Sequence, residues 1–365
     1  MWLFILGSSL LPVGAASAAT AQRVGPETGY PKAQCLDGSP GLYYFEPGSD
    51  DGVSKFFIFH QGGGFCQSDD SCLDRSSGTL GSTKSDSDEK DLESLGNLKF
   101  SRDAAKNPLM YNWNHVYFRY CDGGYYSGQR EEPKVVQQTS LFYRGRYITE
   151  AFFSDLSRFG FANASDVVIG GCSAGAIRVY AHLDALRALA PSNARVAGLA
   201  DSGYYMDVSM FTPLKRYVVT EHNGTGLLNQ ECVQNFPGAE EKCLIGSVIS
   251  SYLKTPLFAF QSRFDADQQG CEMSHLCRWT AACVKEYAGN LSNSLEKTLQ
   301  SPHGYFLDSC VRHCSFDDLA PQDVSGESPL RAFATWYAGG QAQYTQKFTY
   351  PCSYCCNTGP PAYTV

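Results

Sequence analysis

The stretch Val167–Leu186, VVIGGCSAGAIRVYAHLDAL, changes character in its middle. Val167-Val168-Ile169 is a short β-branched apolar run, the signature of a buried strand. Glycines at 170, 171 and 175 then break the pattern around one serine, Ser173. From Ala176 to Ala190 apolar residues return at helical spacing. Gly171-Cys172-Ser173-Ala174-Gly175 fits G-x-S-x-G, and strand before and helix after are the context that motif requires. A nucleophilic serine must stand proud of a sheet on a sharp, strained turn. Side chains two residues to either side would collide with neighbouring elements, and glycine removes them. The following helix aims its first N–H groups at the site, which favours a developing oxyanion.

Outward from this turn, strand-like and helix-like runs alternate. Phe56–Phe59, Val116–Tyr120, Val196–Ala200, Leu257–Phe260 and Gly304–Asp308 read as strands, and Ala151–Phe159 as a helix. Such alternation predicts a mostly parallel sheet with helices on both faces. Ser82–Glu93, STKSDSDEKDLE, is polar and reads as a surface insertion in a loop.

An oxyanion hole needs a second donor from a loop after an earlier strand. His60-Gln61-Gly62-Gly63-Gly64-Phe65 follows the Phe56–Phe59 strand, where its glycines let backbone N–H groups point inward. Acid and base should follow the serine in chain order. Asp201 and Asp265 both end strand-like runs; Asp265 holds the usual position of the acid, and Asp201 is expected to order the loop beside the pocket. Beyond Asp265 stand His275, in an expected helix, His303, and His313. His313 lies between Cys310 and Cys314, where disulfides would steady an imidazole, and it is the expected base. His182 lies nine residues past Ser173 on one helix, about 13 Å along its axis, and is expected to be structural.

The ends and the composition set the compartment. The chain of 365 residues opens on an apolar stretch, Trp2 to Val13, followed by Ala16-Ser17-Ala18, which reads as a secretory leader over residues 1–18. Residues 19–365 are then expected to form one domain. No later run approaches the length of a membrane span. Fifteen cysteines in a secreted chain imply disulfides, and an odd number leaves one thiol over; Cys172, inside the apolar run, is the expected free one. No zinc-type spacing is present, so no metal or cofactor is expected. Asn163, Asn223 and Asn290 begin glycosylation triplets. A formal charge of −8 argues against a nucleic-acid partner, and any attraction for a polyanion would have to be local.

With these residues in place the chain resembles the pectin acetylesterase family, which includes the animal carboxylesterase Notum. The matching stretches are Cys35-Leu-Asp-Gly-Ser-Pro40, Gly62-Gly-Gly-Phe-Cys66, Asn112-Trp-Asn114, Arg119-Tyr-Cys-Asp-Gly123 and Tyr143-Arg-Gly145. They continue through Gly171-Cys-Ser-Ala-Gly175, Asp201-Ser-Gly203, Lys254-Thr-Pro-Leu257 and Cys310-Val-Arg-His-Cys314. The resemblance implies an α/β-hydrolase-like fold, secretion to the cell exterior or wall, and a metal-free triad of Ser173, Asp265 and His313. It places oxyanion donors on the backbone of Gly63 or Gly64 and of Ala174. It also implies disulfides Cys35–Cys121, Cys66–Cys72 and Cys232–Cys243. The chain departs from the plant pattern at Phe65 and Ala176, at His60-Gln61, in the 82–93 segment and at Cys352, Cys355 and Cys356. Notum places a tryptophan where Gly64 stands, so the turn lies nearer the polysaccharide pattern.

The expected activity is ester hydrolysis through an acyl-enzyme, with acetyl groups on a pectin-like polysaccharide as substrate. Removal of a longer acyl chain from a lipidated protein is the alternative. A third reading is a secreted binding protein on the same scaffold, against which every triad position holds a competent residue.

Overall fold

A computed structural model describes residues 18–95, 98–314 and 327–350. The expected leader therefore lies, but for its last residue, outside the described residues, as does the cluster of Cys352, Cys355 and Cys356. Twelve strands are described: β1 (Ala19–Val24), β2 (Gly41–Glu46), β3 (Lys55–His60), β4 (Glu89–Lys90), β5 (Asn114–Phe118), β6 (Lys134–Val136), β7 (Thr139–Leu141), β8 (Asp166–Cys172), β9 (Arg195–Asp201), β10 (Leu257–Ser262), β11 (Gly304–Asp308) and β12 (Gln343–Thr345). Ten of them form one sheet in the order β12-β11-β10-β9-β8-β3-β5-β2-β1-β4, while β6 and β7 make a separate hairpin. Every pairing from β12 to β5 is parallel. Those that add β2, β1 and β4 are antiparallel.

The central strands β3, β8, β9 and β10 carry mostly apolar interiors because both of their faces are buried. On β3, Phe56 and Ile58 enter one core with Val167, Ile169 and Phe152. Phe57 and Phe59 point the other way, into a core with Val168, Phe258, Phe260, Phe333 and Trp336. Helices Gly145–Asp155, Ala174–Arg187 and Ala281–Thr298 cover the first face, and Pro329–Tyr337 covers the second. The architecture is α/β-hydrolase-like.

The helix expected over 151–159 begins earlier, at Gly145, and ends at Asp155, with a 3-10 turn over Leu156–Phe159. Its first turn follows Arg144 and has little apolar periodicity of its own. Packing rather than pattern makes it helical, since Gly145, Ile148 and Thr149 are all buried. The polar 82–93 segment is more than an insertion. It supplies the edge strand β4, and Asp86 accepts a 2.8 Å hydrogen bond from Arg119 Nε.

Five disulfides are described: Cys35–Cys121, Cys66–Cys72, Cys172–Cys314, Cys232–Cys243 and Cys277–Cys283. Cys310 is disulfide-bonded as well. The expectation that Cys172 is free is therefore wrong. Its neighbours in sequence are apolar, but it ends β8, where the chain leaves the sheet and meets the loop after β11. The free thiol among the described residues is Cys271.

Candidate active site

The site is assembled at the carboxyl ends of the central strands, where an open α/β sheet places its loops. Ser173 caps the helix Ala174–Arg187 with φ 57° and ψ −121°, a left-handed conformation that costs a non-glycine residue strain. The turn is held by its backbone. Ser173 N donates to Asp201 O at 3.0 Å, and Ser173 O accepts from Ile177 N at 2.9 Å. The flanking glycines are required by close approach. A Cβ on Gly175 would lie 2.0 Å from His60 O, and one on Gly171 2.3 Å from Gly175 O.

The glycine turn after β3 packs against this serine. A Cβ on Gly62 would meet Cys172 O at 2.4 Å and Ser173 Cβ at 2.9 Å. Gly63 and Gly64 have φ of 137° and 66°. Side chains grip the turn from behind. Tyr126 Oη donates to Gln61 O at 3.0 Å and Tyr120 Oη to Gly64 O at 2.8 Å. Gln61 Oε1 accepts from Arg119 Nη1 and from Tyr120 N. The carbonyls are thereby engaged, while the N–H groups of Gly63 and Gly64 donate to no described residue. Ala174 is the first helical residue, so its N–H has no partner within the helix.

Asp265 ends the segment after β10 and is fully buried. It does two things at once. Its Oδ1 caps the helix Ala266–Glu272 by accepting from Asp267 N and Gln268 N, at 3.0 and 3.1 Å. Both its oxygens lie 2.8–2.9 Å from His313 Nδ1. Desolvation pushes the carboxyl above the usual range, against the pull of the imidazole. For His313, burial acts to lower the pKa, but the hydrogen bond and charge of Asp265, with Asp267 and Asp201 behind it, leave it raised. A histidine so held presents Nε2 to the site.

Asp201 takes a different position. It is buried in an ion pair with Lys99, Oδ2 to Nζ 2.9 Å, and its carbonyl holds Ser173 N. The remaining histidines lie elsewhere. His275 sits in an exposed turn rather than a helix, because the helix before it stops at Glu272. His303 Nδ1 accepts from Leu257 N at the start of β10, the opposite end of the strand from Asp265. His182 is buried against Arg178.

A cavity of about 470 Å³ opens between these groups, lined by Gln61, Gly62–Gly64, Ser173, Asp201, Asp267 and His313, with Phe59, Leu95 and Tyr117 on its apolar side. Two of its features do not follow from the sequence pattern. One is Asp267, two residues past the expected acid, whose Oδ2 stands 3.7 Å from His313 Nε2. The other is the Cys172–Cys314 disulfide, which ties the residue before Ser173 to the residue after His313. Three potential metal ligands meet among the described residues, Cys66, Cys72 and His222. Both sulfurs there are spent in a disulfide, so no thiolate is offered.

The arrangement was compared with known proteins. The family model described as pectinacetylesterase matches residues 26–357. Pectin acetylesterase 7 of Arabidopsis thaliana is 29% identical, covering 98% of this chain and 95% of the relative. Pectin acetylesterase 11 of the same plant is 30% identical over 92% of each. The palmitoleoyl-protein carboxylesterase notum1a of Danio rerio is 28% identical over 83% of this chain and 63% of its own length. Among solved structures, the Wnt deacylase Notum from Drosophila has a TM-score of 0.78, covering 94% of this chain and 100% of that one. At 24% identity that likeness speaks for the fold. With the family model spanning most of the sequence and its relatives named as esterases, the chain belongs to the pectinacetylesterase family and is a carboxylic ester hydrolase.

Proposed function

We propose that Ser173, His313 and Asp265 act as the catalytic triad of a secreted esterase that removes O-acetyl groups from a pectin-like polysaccharide. The observation that carries the reading is the pair of contacts from Asp265 to His313 Nδ1, made at the cavity that also holds Ser173 on its strained turn. His313 Nε2 takes the proton of Ser173 as its Oγ attacks the ester carbonyl, and the alcohol leaves with that proton. Asp265 holds the tautomer and stabilises the imidazolium. The free N–H groups of Gly63 or Gly64 and of Ala174 receive the oxyanion; each such donor is worth roughly 10²–10³ in rate. Water then releases the acid by the reverse route. Nε2 makes no hydrogen bond among the described residues. That is common before substrate binds, since such contacts tighten in the Michaelis complex.

The short acyl group is supported by the packing beside the glycine turn. Phe65 lies against Tyr125 and Phe211, and Phe211 against Tyr205. Lys215 is buried among Phe65, Tyr205 and Phe211, its Nζ 3.0 Å from the Phe211 centroid. None of these four side chains lines the cavity, so among the described residues that flank is packed, which favours a short acyl group. That the plant relatives are pectin acetylesterases supports the polysaccharide.

Secretion fits the five disulfides and the exposed positions of Asn163, Asn223 and Asn290 as glycan sites, behind a leader of residues 1–18 and with residues 19–365 as one catalytic domain. Among the described residues no helix is long and apolar enough to cross a membrane.

The test is hydrolysis of chromogenic esters of increasing acyl length by the secreted protein, with Ser173→Ala alongside. We expect activity to fall steeply beyond acetyl and to vanish in the variant. A preference for long chains overturns the acetyl assignment, and an active variant overturns the triad.

A further inference from the structure

The imidazole of His313 stands between two carboxylates. Asp265 occupies Nδ1 with both oxygens. Asp267 faces the other nitrogen, its Oδ2 3.7 Å from Nε2. The two acids differ in setting. Asp265 is fully buried, whereas half of the Asp267 side chain is exposed on the cavity wall. Asp267 is nevertheless fixed, because Tyr205 Oη donates to the same Oδ2 at 2.9 Å. We infer that Asp267 is a positioning residue for His313, a second carboxylate that pairs with protonated Nε2 and so sets the acidic limit of the enzyme's working range; the inference rests on His313 being the base.

The chemistry follows from which proton is where. To accept the Ser173 proton, Nε2 must be bare. In acid it carries a hydrogen, and an anion stands at ion-pair distance from that nitrogen. The pair stabilises the imidazolium and holds Nε2–H on Asp267 rather than on Ser173. The charged groups around the ring leave Asp267 as the one open to solvent. Asp265 is sealed on Nδ1. Asp201, at the end of β9, is buried and engaged by Lys99. On the ring's own loop Arg312 is paired with Asp308. Asp267 faces Tyr205 and the imidazole, with Asp265 two residues back and the Cys271 thiol one turn along its own helix. That thiol, pushed up to about 12 by burial, stays neutral in acid, so His313 is the partner whose gain of a positive charge Asp267 favours.

The sign is fixed. A carboxylate beside Nε2 favours the charged imidazole, so it raises the pH at which His313 becomes a base. Removing the charge moves the acid limb of kcat/KM to lower pH. At 3.7 Å, half-exposed and in water-like dielectric, the expected shift is about half to one pH unit.

The experiment compares wild type with Asp267→Asn, which keeps an acceptor for Tyr205 and loses the charge. On a neutral acetyl ester the acid limb should move down by that amount, giving roughly 3- to 10-fold more activity below the wild-type midpoint and little change on the alkaline plateau. NMR titration of the His313 ring in the two proteins should show the same shift without any turnover. Tyr205→Phe keeps the charge and should move the limb less. In wild type alone, rising salt should also carry the limb downward, which serves if Asp267→Asn does not fold. A limb and a ring titration unmoved by Asp267→Asn overturn the inference, as does a wild-type limb indifferent to salt. If Ser173→Ala stays active, the triad reading has failed instead, and the ring titration still decides the role of Asp267.

Discussion

The two halves of the site are held by different means. The half with Ser173 is held locally. Its turn, the glycine turn after β3 and the end of β9 interlock through backbone atoms packed so closely that glycine alone fits at 62, 171 and 175. The half with His313 is held at long range. The ring leans on Asp265 from 48 residues away, and Cys314 N donates to Ser202 Oγ at 2.8 Å. Its loop is bonded to Cys172 across 142 residues of sequence. A serine on a strained turn can be specified by its immediate neighbours, because strain and close approach are local. A histidine on a loop has no such local code, so its geometry comes from cross-links and charge.

If that contrast is right, the half with the proposed base should break without the fold breaking. Asp265→Asn should cost about 10³–10⁴ in kcat, since the imidazole loses the anion that orients it and stabilises its charged form. The asparagine can still cap the helix Ala266–Glu272, because Asn serves as well as Asp at that position. Steady-state kinetics beside a thermal melt checks this; a large fall in melting temperature would show that Asp265 is mainly structural. Less drastic is the loss of the cross-link. Cys172→Ser with Cys314→Ser should lower stability by about 2–4 kcal/mol and activity by roughly tenfold as the His313 loop loosens. Denaturant titration and kcat on one ester measure both. Unchanged kcat in the folded double variant would mean that Asp265 and Ser202 suffice to place the ring.

The same contrast explains what the sequence revealed. The parallel strands were legible because both faces are buried and the residues run continuously apolar, as in Phe56–Phe59 and Val167–Ile169. The Ser173 turn was legible because its glycines answer to steric need. The antiparallel edge was missed: Gly41–Glu46 pairs with β1 and β5, but nothing local distinguishes it from an aromatic loop. Cys172 was misread for the same reason. Its apolar neighbours suggest packing, and only the three-dimensional approach of Cys314 reveals the bond. Asp267 carried a faint signal, a second acid in Phe264-Asp265-Ala266-Asp267, but its meaning depends on where the His313 ring falls.

The local half can be probed with the smallest change available, one methyl group placed at two glycines. Both Gly175 and Gly289 lie in helices, where alanine is intrinsically better than glycine by about 1 kcal/mol. At Gly289 a Cβ meets nothing within 4 Å, so Gly289→Ala should stabilise by roughly 0.5–1 kcal/mol. At Gly175 the same Cβ would lie 2.0 Å from His60 O and 3.0 Å from Gln61 O, and both are backbone atoms that cannot swing aside. Either the Ser173 turn or the glycine turn must move. Gly175→Ala should therefore cost about 1–3 kcal/mol despite its better propensity, and it should lower kcat because both turns bear on the reacting centre. Chemical denaturation of the two variants reads the opposite signs directly. Equal signs would mean that the Ser173 turn has slack, and that it too depends on distant supports rather than on its glycines.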